Sequence, residues 1–159
     1  MIKHDTNVNN FGKLLEDKLY EKLVEIDDHG MFKQIVHEDK LKQCWGWQAA
    51  SVDYLVDLGD WGIILIQCKW RRSRRRENKA IYNFLESVRY ITNKVGKDVL
   101  FGMWISRIGP FDDNVETLAG NKIHCVSDYD SIEWLVEKTA RTLTELLTTY
   151  GKETRGTRT

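Results

Sequence analysis

Asp53, Gln67 and Lys69 are polar residues set into two apolar runs, Ser51–Leu58 and Ile63–Trp70. Along a strand, residues two apart share a face. Gln67 and Lys69 therefore point the same way as Ile63 and Leu65, while Ile64, Ile66, Cys68 and Trp70 point the other way. Both faces are largely apolar, which predicts a central strand covered on both sides. Polar side chains at the end of such a strand need partners or a function. Gly59-Asp60-Trp61-Gly62 supplies turn residues between the runs. With the hairpin centred near Asp60, Asp53 lies across from Gln67. Asp53, Gln67 and Lys69 then meet on one face.

Phosphodiester hydrolysis wants that arrangement. A carboxylate and a side-chain oxygen can hold Mg²⁺, with Mn²⁺ as a substitute. Such a metal polarises the phosphate and lowers the pKa of a bound water. The lysine can orient that water and offset developing charge. An edge hairpin with surface charges is the plainer reading, but it leaves Gln67 and Lys69 unexplained inside a core-like run.

Asp53 followed by Gln67-Cys68-Lys69 resembles the PD-(D/E)XK nuclease superfamily. The likeness is to archaeal Holliday-junction resolvases and to Mrr-like nucleases, which commonly carry Gln at the position of Gln67. Gly12-x-x-x-Glu16 is similar to the glycine and glutamate spacing of the resolvases. The resemblance spans roughly residues 11 to 127 and rests on few positions. It implies a restriction-endonuclease-like core. It also implies metal ligands at Glu16, Asp53 and Gln67 with the Cys68 backbone carbonyl, and Lys69 beside the attacking water. Val52 stands in the place of the motif's proline. Gln67 removes one negative charge relative to members with an acid there.

Beside this site run Arg71, Arg72, Arg74, Arg75 and Arg76. From Lys69 to Lys79 there are seven basic residues and one acid, Glu77. The whole chain has 24 basic and 24 acidic residues, so its net charge is zero and the basic character is local. Such segregation steers polyanions to one face. The arginines, Lys79 and Ser51 are therefore the expected phosphate contacts on DNA. The run also resembles a nuclear-localisation patch, and a solvated charged loop is the bland alternative.

The positioning elements follow from patterning. Asn10 is placed to cap a helix from Phe11 to His29, with Leu15, Leu19, Leu23 and Ile26 as its stripe and Gly30 as its stop. Glu16 sits at the edge of that stripe, and Glu21 is the fallback. Met31–Val36 reads as a strand and Glu38–Gln48 as a polar loop. Trp45 and Trp47 in that loop serve as core anchors or as a stacking platform for bases. Glu77–Lys94 reads as a helix through Ile81, Phe84, Leu85, Val88 and Ile91. Asp98–Ser106 and Lys122–Ser127 read as strands, with a loop from Arg107 to Asn121 between them. Asp112 and Asp113 in that loop are a solvated turn or, less readily, a cation site. A final helix opens on a capping box of Asp130 and Glu133 and ends near Tyr150.

The 159 residues fit one domain, residues 1–150, with a polar tail over 151–159 and a loose stretch over 1–10. Three cysteines without ligand spacing, and no signal peptide, read as reduced buried thiols of an intracellular, cytoplasmic protein, nucleoid-associated or nuclear according to host. His4, His29, His37 and His124 show no ligand spacing either. No apolar run is long enough to span a membrane, and no small-molecule cofactor motif occurs. The expectation is an α/β protein with a mixed sheet of about five strands flanked by helices. Its expected activity is Mg²⁺-dependent DNA endonuclease, resolvase-like or stand-alone Mrr-like, acting as a homodimer. The alternative is a catalytically inactive DNA-binding module of the same fold, and a weaker reading is a module whose basic patch binds an acidic protein.

Overall fold

The computed structural model describes residues 2–27 and 31–157. The elements run α1 (Ile2–Ile26), β1 (Gln34–His37), α2 (Glu38–Trp45), β2 (Tyr54–Asp57), β3 (Ile63–Lys69), α3 (Asn78–Val95), β4 (Val99–Ser106), α4 (Asp112–Gly120), β5 (Ile123–Ser127) and α5 (Ile132–Thr157). The strands form one mixed sheet in the order β1-β2-β3-β4-β5. β1, β2 and β3 pair antiparallel. β4 joins β3 and β5 in parallel, through the crossover helices α3 and α4.

Strand alternation builds two cores. Ile64, Ile66 and Cys68 join Leu15, Leu19 and Leu23 of α1 and Leu135 and Leu143 of α5 on one face. Ile63 and Leu65 join Ile81, Phe84 and Ile91 of α3 and Leu118 of α4 on the other. Both faces of β3 are therefore covered, as its sequence requires. Burying a side chain such as Leu or Ile contributes roughly 1.5–3 kcal/mol, so these two layers fix the strand ends that carry the site. Gly62 closes the hairpin at φ 129°, where an added Cβ would collide with the Asp98 carbonyl.

Several boundaries differ from the sequence reading. Residues 2–10 belong to α1, so Asn10 lies inside the helix and not at its cap. His29 and Gly30 lie outside the described residues. The Glu38–Gln48 loop is instead α2 followed by a 3-10 turn, Gly46–Ala49. α2 opens with His37 Nδ1 accepting the Asp39 N–H at 3.4 Å and buries Leu41. The Arg107–Asn121 loop contains α4, which starts on Asp112 and Asp113 at its electropositive end and buries Leu118. Helices this short bury too few residues to show a period. The N-terminal cap of α5 is Ser131, whose Oγ accepts the Trp134 N–H at 3.4 Å, and not Asp130. Residues 151–157 continue α5, and 158–159 lie outside the described residues. No helix among the described residues is long and apolar enough to cross a membrane.

Candidate active site

Asp53 is 4% exposed and lies one residue before β2. Its carbonyl accepts the Glu38 N–H at 2.9 Å, which ties it to the end of β1. Its N–H donates to the Ile66 carbonyl at 2.9 Å, although Ile66 is already paired with Tyr54. This bond lies just beyond the last paired residues of β2 and β3. The β2–β3 register ends at Tyr54 opposite Ile66, so the expected pairing of Asp53 with Gln67 lies beyond it, and the Asp53 N–H bonds to Ile66 instead. Its Oδ2 accepts the Cys68 N–H at 2.7 Å, and its carboxyl meets that of Glu16.

Glu16 comes from α1. Leu15 and Leu19 bury that helix on the sheet, and the Tyr54 hydroxyl donates to the Glu16 carbonyl at 2.8 Å. Burial and the neighbouring Glu16 charge push the Asp53 carboxyl well above its usual range. Burial also raises Glu16; the hydrogen bond with Asp53 opposes that rise and the Glu38 charge adds to it. Two acids in contact resist ionising together. Glu21, the fallback, is exposed and pairs with Lys18 at 3.9 Å.

Lys69 ends β3 with its Nζ 5.8 Å from the Trp104 ring centre. Burial and the adjacent Arg71 lower its pKa, while Asp53 raises it. Gln67 does not join the acids. It is 6% exposed on the opposite face. Its amide nitrogen donates to the Ser51 carbonyl and its oxygen accepts Lys69 Nζ at 3.1 Å. The residue expected as a metal ligand thus contacts Ser51 and Lys69. The Cys68 thiol is buried and pushed up by that burial and by Asp53. Cys44, by contrast, is exposed.

Two residues join the site that their spacing did not disclose. His37 Nε2 lies 3.8 Å from Glu16 Oε2. One donor atom each from Glu16, His37 and Glu38 lie within 4.8 Å of one another. They converge because β1 pairs with β2, setting His37 opposite Tyr54. Two polar residues directly after a short apolar strand were the available signal. Glu16, His37, Glu38 and Lys69 line one open cleft of about 1040 Å³. Carboxylate oxygens with one imidazole fit a divalent cation of the Mg²⁺–Mn²⁺ type.

The arginines are less free than the run suggested. Arg71, Arg74 and Arg76 pair with Glu77, Asp128 and Asp113. Asp113 is therefore an ion-pair partner within α4. Arg72, Arg75 and Lys79 are exposed with no partner among the described residues. Ser51 engages through its carbonyl. Trp45 packs on the core under α3, and the Trp47 side chain lies outside what is described.

No protein-family model, curated protein or solved structure matches the chain.

Proposed function

We propose that this chain is a divalent-metal-dependent DNA endonuclease with a restriction-endonuclease-like core. The observation that carries the reading is the Glu16–Asp53 carboxyl pair, in which Asp53 is buried and Glu16 lines an open cleft together with Lys69. Buried like charges are costly on their own and become favourable around a cation. Glu16 and Asp53 would hold the metal, with Glu38 and His37 at its edge. The bound metal would supply an activated water and a polarised phosphate. The chain's own residues do the rest. Lys69, held by Gln67, orients the water as it adds to phosphorus and offsets charge as the bond to the leaving oxygen breaks. The water's proton passes to solvent, and the leaving oxygen takes up a proton from solvent. Arg72, Arg75 and Lys79 hold flanking phosphates. Cutting both strands of a duplex calls for two copies, hence a homodimer.

A non-catalytic DNA-binding module is the second reading, favoured by the commitment of Gln67 to Ser51 and Lys69. Labelled linear duplex, single-stranded, flap and four-way-junction DNA, incubated with Mg²⁺, Mn²⁺ or EDTA, separates the two. Cutting with metal and none with EDTA supports the nuclease, and the preferred substrate places it as resolvase-like or Mrr-like. Binding without cutting on every substrate supports the module.

A further inference from the structure

The segment after β3 is pinned by its own arginines, and the pins differ in kind. Arg71 Nε and Nη2 donate to Glu77 Oε2 and Oε1 at 3.0 Å each, and the Glu77 side chain is only 4% exposed. Asn114 holds the same turn by accepting the Glu77 N–H at 2.8 Å. That clamp is buried and two-pronged.

The other two pins are exposed. Arg74 Nη2 donates to Asp128 Oδ1 at 3.0 Å, and Arg76 donates to Asp113 Oδ2. All four of these side chains are about half exposed. Pairs in that setting contribute about 0–1 kcal/mol each. Both acids also keep a donor of their own. Asp128 accepts the Ser127 hydroxyl at 3.1 Å, and Asp113 Oδ1 accepts the Asn114 N–H at 3.0 Å. Neither is left without a partner when its arginine leaves.

We propose that Asp113 and Asp128 are phosphate stand-ins, which hold Arg74 and Arg76 until a nucleic-acid backbone takes them over. The proposal rests on the reading of this chain as DNA-acting. Carboxylate and phosphate oxygens both accept guanidinium N–H groups, so a phosphate can take the place of either acid. The surface then has three parts: Arg71 is structural, Arg72 and Arg75 are open, and Arg74 and Arg76 are masked. Masking lowers affinity for polyanions in general. It favours a target that presents several phosphates at the spacing needed to displace both acids together.

The test is binding of a labelled duplex in EDTA, by fluorescence anisotropy, at about 50 mM and about 200 mM salt. Asp113→Asn and Asp128→Asn are compared with Asp112→Asn, which changes net charge equally. Asp112 is exposed and has no partner among the described residues. Unmasking predicts that each of the first two tightens binding by about 3–10-fold at low salt, with a smaller gain at high salt. Asp112→Asn should change it by less than about twofold. Arg76→Ala, at a position where loss of fold is not expected, should weaken binding although Arg76 is already paired. If Asp128→Asn lowers Tm, the Asp113 and Arg76 variants decide.

Equal gains from Asp112→Asn and Asp113→Asn would overturn the proposal, since charge alone would then explain them. So would unchanged binding in Asp113→Asn and Arg76→Ala while wild type binds. That second outcome leaves the DNA-acting reading intact, whereas no binding by wild type or any variant removes both. Binding seen only in the two unmasked variants supports the masks.

Discussion

Asp53 Oδ2 accepts the Cys68 N–H at 2.7 Å, which locks the first acid of the site to the strand that presents Lys69. The Asp53 N–H bond to the Ile66 carbonyl holds the same residue against β3, and its carboxyl lies beside Glu16. Backbone bonds therefore tie the acid to the strand that carries Lys69.

The acid pair sets a pH dependence. Burial and the Glu16 charge raise the folded pKa of Asp53 above its unfolded value of about 3.9. A raised folded pKa means that the folded chain binds the proton more tightly. Its stabilising contribution is complete below that unfolded value and is lost as pH rises through the folded one. Thermal unfolding in EDTA should therefore show Tm falling from mild acid toward neutral pH. Asp53→Asn, which can still accept the Cys68 N–H, should flatten that slope and raise Tm near neutral pH by about 2–4 °C per kcal/mol relieved. A wild-type slope retained in Asp53→Asn would contradict the pair.

Divalent cations should reverse that penalty. Mn²⁺ or Mg²⁺ in excess should raise Tm, and more so at higher pH, since binding to the folded state alone stabilises it. His37→Ala should weaken Mn²⁺ binding by about tenfold and Mg²⁺ binding less, because imidazole suits the softer ion. Calorimetric titration of both ions into wild type and variant reads this directly. Equal losses for the two ions would place His37 outside the coordination.

Gln67 separates two assignments. As a clamp, its amide nitrogen faces the Ser51 carbonyl, so Gln67→Glu sets a carboxylate against that oxygen. The expected cost is about 1–3 kcal/mol in denaturant unfolding, with metal affinity unchanged. Tighter metal binding in Gln67→Glu would restore Gln67 as a ligand.

The arginines should split by role. Arg71→Ala leaves the buried Glu77 unpaired and should destabilise by about 3 kcal/mol. Arg72→Ala and Arg75→Ala should leave Tm unchanged, weaken DNA binding and each reduce the salt slope by about one. Stability measured beside binding for the three variants checks the division.

The central hairpin was legible because Ile63–Ile66 is apolar on both faces and Gly59–Gly62 marks the turn. The stripe of α3 was equally plain. The backbone bond from Asp53 to Ile66 was not, since it depends on one amide choosing that carbonyl. Asp53 and Gln67 were therefore assigned to one face, whereas Asp53 bonds to Ile66 and Cys68, and Gln67 to Ser51 and Lys69. His37 and Glu38 became part of the site only through the β1–β2 pairing. The partners of the arginine run lie far along the chain, Asp113 from Arg76 by 37 residues and Asp128 from Arg74 by 54. No local pattern carries contacts of that range.

The most direct measurement is single-turnover cleavage of the best-bound labelled DNA in Mn²⁺, beside its binding in EDTA, for wild type, Asp53→Asn and Lys69→Ala. Wild type should cut, and both variants should bind within a few-fold of wild type and lose cutting by about 100-fold or more. Undiminished cutting by both variants would contradict the proposed nuclease site, and so would binding by all three proteins with no metal-dependent product.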